Sequence, residues 1–159
     1  MPPLARLPLL ILGFLGLFAG IGAGLARLGW SVPDLAASAS AMHGPLMICA
    51  FFGTVISLER AVAIGRGWAY AGPLFAGLGG IATIAGAVSI APWLFLLGSL
   101  VLLTATVDVL RRQTAMFTFT LTLGALCWST GNALWAQGAT VHAVVPWWLA
   151  FLVLTIAGE

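Results

Sequence analysis

Apolar residues occupy long blocks along this chain, separated by short stretches of glycine, proline or charge. Blocks of this length predict six membrane-spanning helices, from about Leu4 to Leu28, Ala39 to Leu58, Ala71 to Ile90, Pro92 to Leu110, Thr114 to Ala136 and Thr140 to Ala157. The breaks carry turn chemistry: Ser31-Val32-Pro33-Asp34, Gly65-Arg66-Gly67, Ala91-Pro92 and Gln137-Gly138. Every connection is short, so sequential helices are expected to lie antiparallel.

Composition strengthens this reading. Hydrophobic residues make up 62% of the 159 and charged residues only 6%, where a soluble domain carries about a quarter. The expected fold is an all-α integral membrane protein, a bundle of about six transmembrane helices forming one domain over residues 1–159, with the lipid bilayer as its main partner. The six cations are all arginines, and they form no basic stripe with interleaved aromatics, so nucleic acid is not an expected partner. Alternate threading places Arg6, Arg60, Arg66, Arg111 and Arg112 on one side and Arg27 alone on the other. By the positive-inside bias the N-terminus is cytoplasmic, and Asp34, His43 and His142 lie toward the outside. Cys49 and Cys127 sit within apolar runs and belong to no metal or haem attachment pattern. Ala39-Ser40-Ala41 resembles a cleavage site but lies too far from the N-terminus, so the first helix is read as a mature span.

Small residues supply the expected packing grooves. Gly16, Gly20 and Gly24 recur every four residues, and Gly72, Gly79 and Gly86 every seven. Thr118, Thr122, Ser129 and Asn132 form one polar stripe, read as interhelical hydrogen bonding before any proton or water path. Trp30, Trp93, Trp135, Trp147 and Trp148 are expected in an interfacial belt at the outer ends, Trp68 at the inner face, and Trp128 in the core. Asp108 is expected to pair with Arg111 or Arg112.

In so apolar a chain, ionisable groups at the spans are the candidates for chemistry. His43 precedes Glu59 by 16 residues and His142 precedes Glu159 by 17, so helices two and six each set a histidine near one surface and a glutamate near the other. Two neutral imidazoles at one depth on facing helices meet the needs of a bis-histidine haem. Gly44, Ala50 and Gly53 leave room for a flat macrocycle, and Arg27 is the cation placed to meet its propionates. Met47, four residues after His43, is the alternative soft ligand for haem iron or copper. The competing assignment makes both histidines interfacial groups bonded to backbone or lipid headgroups.

The stretch Met42-His43-Gly44-Pro45-Leu46-Met47-Ile48 resembles the second-helix histidine motif of haem–copper oxidase subunit I. Gly53-Thr54-Val55-Ile56-Ser57-Leu58-Glu59-Arg60-Ala61-Val62-Ala63 and the terminal Leu154-Thr155-Ile156-Ala157-Gly158-Glu159 are similar to NnrS-type bacterial membrane proteins, a group associated with haem, copper and nitric-oxide stress. The resemblance implies a bacterial inner (plasma) membrane protein in which His43 is a haem ligand and His142 a second one. With two histidines, no complete haem–copper centre is assembled, so copper would need a partner subunit or a missing segment. The abrupt end at Glu159 favours a truncated or split version of a longer chain. The expected function is haem b binding near the outer face, in electron transfer or nitric-oxide-linked redox chemistry with a redox partner, whether or not the chain is itself an enzyme. The alternative is a non-haem scaffold subunit or small-solute permease.

Overall fold

The computed structural model describes residues 2–159 and is built from helices, with no strand among the described residues. Six long helices form the bundle: α1 (Leu7–Arg27), α2 (Pro45–Ile64), α3 (Ala71–Ile84), α4 (Ala91–Arg112), α5 (Met116–Ala136) and α6 (Val141–Gly158). Sequential helices pack side by side, α1 also packs on α3, and α2 lies against α1, α3 and α4. Four helices, Leu4–Arg27, Pro45–Ile64, Ala91–Arg112 and Val141–Gly158, are long and apolar enough to cross a membrane.

The observed bounds follow local chemistry. Helical turns begin at Ser40, close to the expected start of helix two, but continue to Ile64, six residues past the expected end at Leu58. Glu59 and Arg60 do not terminate the helix, and Arg60 pairs with the Glu159 carboxylate at the end of α6, 3.1 Å away. The stop comes at Gly65, whose φ of +69° is the left-handed cap that glycine adopts without steric cost. The third span is shorter than expected: α3 ends at Ile84, and Gly86, at φ +76°, lies in the following turn, away from the face that carries Gly72 and Gly79.

The first half of α2, Pro45–Phe52, is a π-helix, an expanded coil that starts at a proline lacking the N–H of a regular turn. Gly53 N–H reaches back five residues to the Ile48 carbonyl as the coil returns to α-helix. The face of α2 that carries His43, Met47, Ala50 and Thr54 meets Gly24, Gly20, Gly16 and Gly13 of α1 in antiparallel order. A methyl group at Gly16 would lie 2.8 Å from Ala50 Cβ and one at Gly20 would lie 2.7 Å from Met47 Sδ, so this pairing depends on glycine.

The face of α2 that carries Cys49 and Gly53 turns instead to α5 and α6. There Trp128, Trp148, Phe95 and Phe151 form a fully buried aromatic core. Trp128 stacks on Phe151 at 4.9 Å, Phe95 on Trp135 at 6.0 Å, and Trp135 meets Trp148 edge-on at 5.4 Å. Trp148 therefore leaves the expected belt for the interior, while Trp30, Trp68, Trp93 and Trp147 stay exposed. The α5 polar stripe is also corrected. Thr118, Thr122 and Ser129 return their hydroxyls to carbonyls of their own helix or the preceding turn, because a backbone carbonyl one turn back is the nearest acceptor. Of that stripe, Asn132 is the residue whose side chain bridges helices.

Candidate functional site

His43 lies on the turn just before Pro45, with its ring against the last turns of α1. Its Nδ1 is 2.8 Å from the Gly20 carbonyl oxygen. A carbonyl can only accept, so Nδ1 carries the proton and donates. In the neutral ring this leaves Nε2 with its lone pair, and no other protein group bonds the ring among the described residues. An imidazole tethered through Nδ1–H to a backbone carbonyl is the arrangement that fixes tautomer and ring orientation in metal-ligating histidines.

Glycine makes this placement sterically feasible. A Cβ at Gly24 would stand 2.9 Å from both Cε1 and Nδ1 of the ring. Gly20 has two roles, as acceptor of the histidine proton and as the gap that admits Met47 one turn below. The ring borders an open groove of about 350 Å³ lined by Ile21, Gly24, Leu25, Arg27, Leu28 and His43. The structure thus brings together His43 and Arg27, two of the residues expected to act together, and packs Met47 on the adjacent turn of the same seam.

His142 is placed elsewhere. It occupies the exposed first turn of α6, after the Thr140 hydroxyl that accepts the Ala143 N–H at 3.4 Å. No hydrogen bond, ion pair or ring contact joins it to His43 among the described residues, and it does not line the groove. The physical reason lies in α2, where the face carrying His43 is turned to α1 and the neighbouring face, carrying Cys49 and Gly53, is turned to α5 and α6. Among the described residues no three His, Cys, Asp or Glu side chains cluster as a metal site.

The expected interior room for a macrocycle is also filled. Ala50 is locked between Gly16 and Gly80, and a Cβ at Gly53 would overlap the Trp128 ring. Gly44 alone of the three small residues has open space beside it. The interior behind α2 is therefore closed to a flat ligand, and the open space beside His43 is the groove at the bundle surface.

A second polar constellation joins four helices. Asn132 Oδ1 accepts from Trp148 Nε1–H at 3.0 Å and from the Cys49 thiol at 3.4 Å, while its Nδ2–H donates to the Phe95 carbonyl at 3.1 Å. Trp128 Nε1–H donates to Cys49 Sγ at 3.4 Å. These five groups come from four helices, Asn132 and Trp128 both from α5, and they tie α2, α4, α5 and α6 together. The sequence marks Asn132 as polar within a span but does not mark Cys49 or Trp148 as its partners.

At the opposite end, Asp108 binds Arg112 at 3.0 Å and reaches Arg66 at 3.8 Å, as the i,i+4 spacing leads one to expect for Arg112. Arg60 and Glu159 tie α2 to α6, and Glu59 is exposed.

The fold and these sites define an all-α bundle with helices able to span a membrane and with its charges gathered at the helix ends. Residues 6–159 match the family model described as a domain of unknown function (DUF8744), and the chain belongs to that family. No match was found among curated proteins or solved structures.

Proposed function

We propose that this chain is a haem-binding protein of the bacterial inner membrane, with its N-terminus in the cytoplasm, that serves electron transfer or nitric-oxide-linked redox chemistry. The observation that supports this reading is the Nδ1–H bond from His43 to the Gly20 carbonyl at 2.8 Å, which leaves Nε2 as the nitrogen able to ligate on a residue that lines an open groove. Arg27 on the same groove is the cation for a propionate, and Ile21, Leu25 and Leu28 supply apolar contacts for the macrocycle. A bound b-type haem would supply a one-electron couple and, with one histidine from this groove, a position for a small ligand such as nitric oxide. The protein's own contributions are ligation by His43, orientation of that ring by Gly20, and charge compensation by Arg27.

Purification from haem-replete cells, followed by oxidised and dithionite-reduced absorption spectra, tests the reading. A Soret band that is lost in His43→Ala and kept in His142→Ala is the expected result. Loss in both variants restores ligation by two histidines, and a colourless, well-folded preparation identifies His43 as a helix tether in a scaffold subunit.

A further inference from the structure

The arginine-rich end of the bundle holds a second groove, of about 520 Å³, between the connection after α2 and the last turns of α4. Arg66 and Trp68 of that connection line it together with Leu103, Thr104, Val107, Asp108 and Arg111 of α4. Asp108 is the carboxylate of this groove, and it is engaged with Arg112, at 3.0 Å. Its 3.8 Å approach to Arg66 exceeds hydrogen-bond length, so Arg66 keeps its donors available. Arg111 is exposed and has no side-chain partner among the described residues. Arg111, unpaired, and Arg66, in a long ion pair with Asp108, thus line the groove with a single carboxylate, and the groove is positive.

The remaining lining fixes the class of ligand. α4 is long and apolar enough to cross a membrane, so Leu103 and Val107 lie on a helix that would face acyl chains. Trp68, 40% exposed, puts an amphipathic ring where headgroups meet hydrocarbon. A guanidinium fork matches two phosphate oxygens at once, and basic pockets between spans are the recurring way that proteins hold acidic lipid headgroups. We propose that this groove binds an anionic phospholipid, with the phosphate on Arg66 and Arg111 and an acyl chain along Leu103 and Val107. A soluble phosphate would have no use for the apolar lining at Leu103 and Val107.

Native mass spectrometry of the full chain, delipidated in detergent and titrated with phosphatidylglycerol, tests this directly. Parallel arms use phosphatidylcholine of the same acyl chains and inorganic phosphate. Phosphatidylglycerol is expected to saturate with about tenfold preference over phosphatidylcholine, with no displacement by millimolar phosphate. The Arg66→Gln/Arg111→Gln variant is expected to lose that preference. If the double variant does not fold, Arg111→Gln alone, at an exposed side chain, is expected to lower it severalfold. Equal affinity for the two lipids, an unchanged preference in the folded variants, or displacement by inorganic phosphate would overturn the proposal.

Discussion

Trp148 donates its indole N–H to Asn132 Oδ1 across 3.0 Å, with both side chains fully buried and on adjacent antiparallel helices. That bond is one arm of a junction in which the same amide also holds Cys49 and the Phe95 carbonyl. Interhelical hydrogen bonds in membranes average about 0.6 kcal/mol, but stranding a buried donor costs about 1–3 kcal/mol. Asn132→Leu, which strands the indole N–H, is therefore expected to destabilise the bundle by about 2 kcal/mol. Trp148→Phe, which removes the donor itself, leaves Asn132 Oδ1 with the thiol and is expected to cost less than Asn132→Leu. Equilibrium unfolding by sodium dodecyl sulfate in mixed micelles gives the order.

Close packing at Gly53 makes a second, steric prediction. A methyl there would overlap Trp128, and relief requires the α2–α5 interface to open. Gly53→Ala is expected to cost about 2 kcal/mol as an overpacked site, and Gly44→Ala, with open space beside it, is expected to change little. Trp128→Phe in the Gly53→Ala background shortens the clashing ring and is expected to recover part of the loss. Thermal midpoints of the four proteins check the pattern.

Charge pairs at the helix ends should matter far less. Arg60 and Glu159 meet at 3.1 Å, but the Glu159 side chain is 49% exposed. Glu159→Gln is expected to lower stability by about 0–1 kcal/mol. A larger loss in the same unfolding assay would mean that this pair sets the position of α6.

Gly24 links packing to the candidate site. Its Cβ position lies 2.9 Å from two atoms of the His43 ring, so Gly24→Ala pushes the imidazole away from the Gly20 carbonyl. Far-ultraviolet circular dichroism is expected to stay helical while haem absorbance falls, because orientation of the ligand changes and the fold does not. Gly29→Ala is the wrong control, as φ there is +81°; Gly44→Ala serves instead.

Much of this architecture is legible in the sequence. Long apolar runs locate all six helices, and the four-residue glycine spacing identifies the face of α1 that α2 packs on. Asp108 and Arg112 advertise their pairing by spacing. The facing of individual side chains is less legible. Helix α6 is apolar on every side, so periodicity does not distinguish the inward Trp148 from the exposed Trp147. Glu59-Arg60 reads as the end of an apolar span because charge interrupts the run there, and the partner of Arg60, Glu159, lies 99 residues away. The direction of His43 is fixed by a backbone carbonyl at Gly20 and by the space beside Gly24, and side-chain pattern does not encode the carbonyl. Position near a helix start could be inferred for both histidines, while their facing could not.

In the proposed function, His43 presents Nε2 to a haem iron. Titrating haemin into the purified chain in lipid nanodiscs, and following the Soret band, measures this most directly. The wild type is expected to saturate at one haem per chain, with binding lost in His43→Ala and weakened in Arg27→Gln. An identical titration in wild type and a folded His43→Ala variant would contradict it.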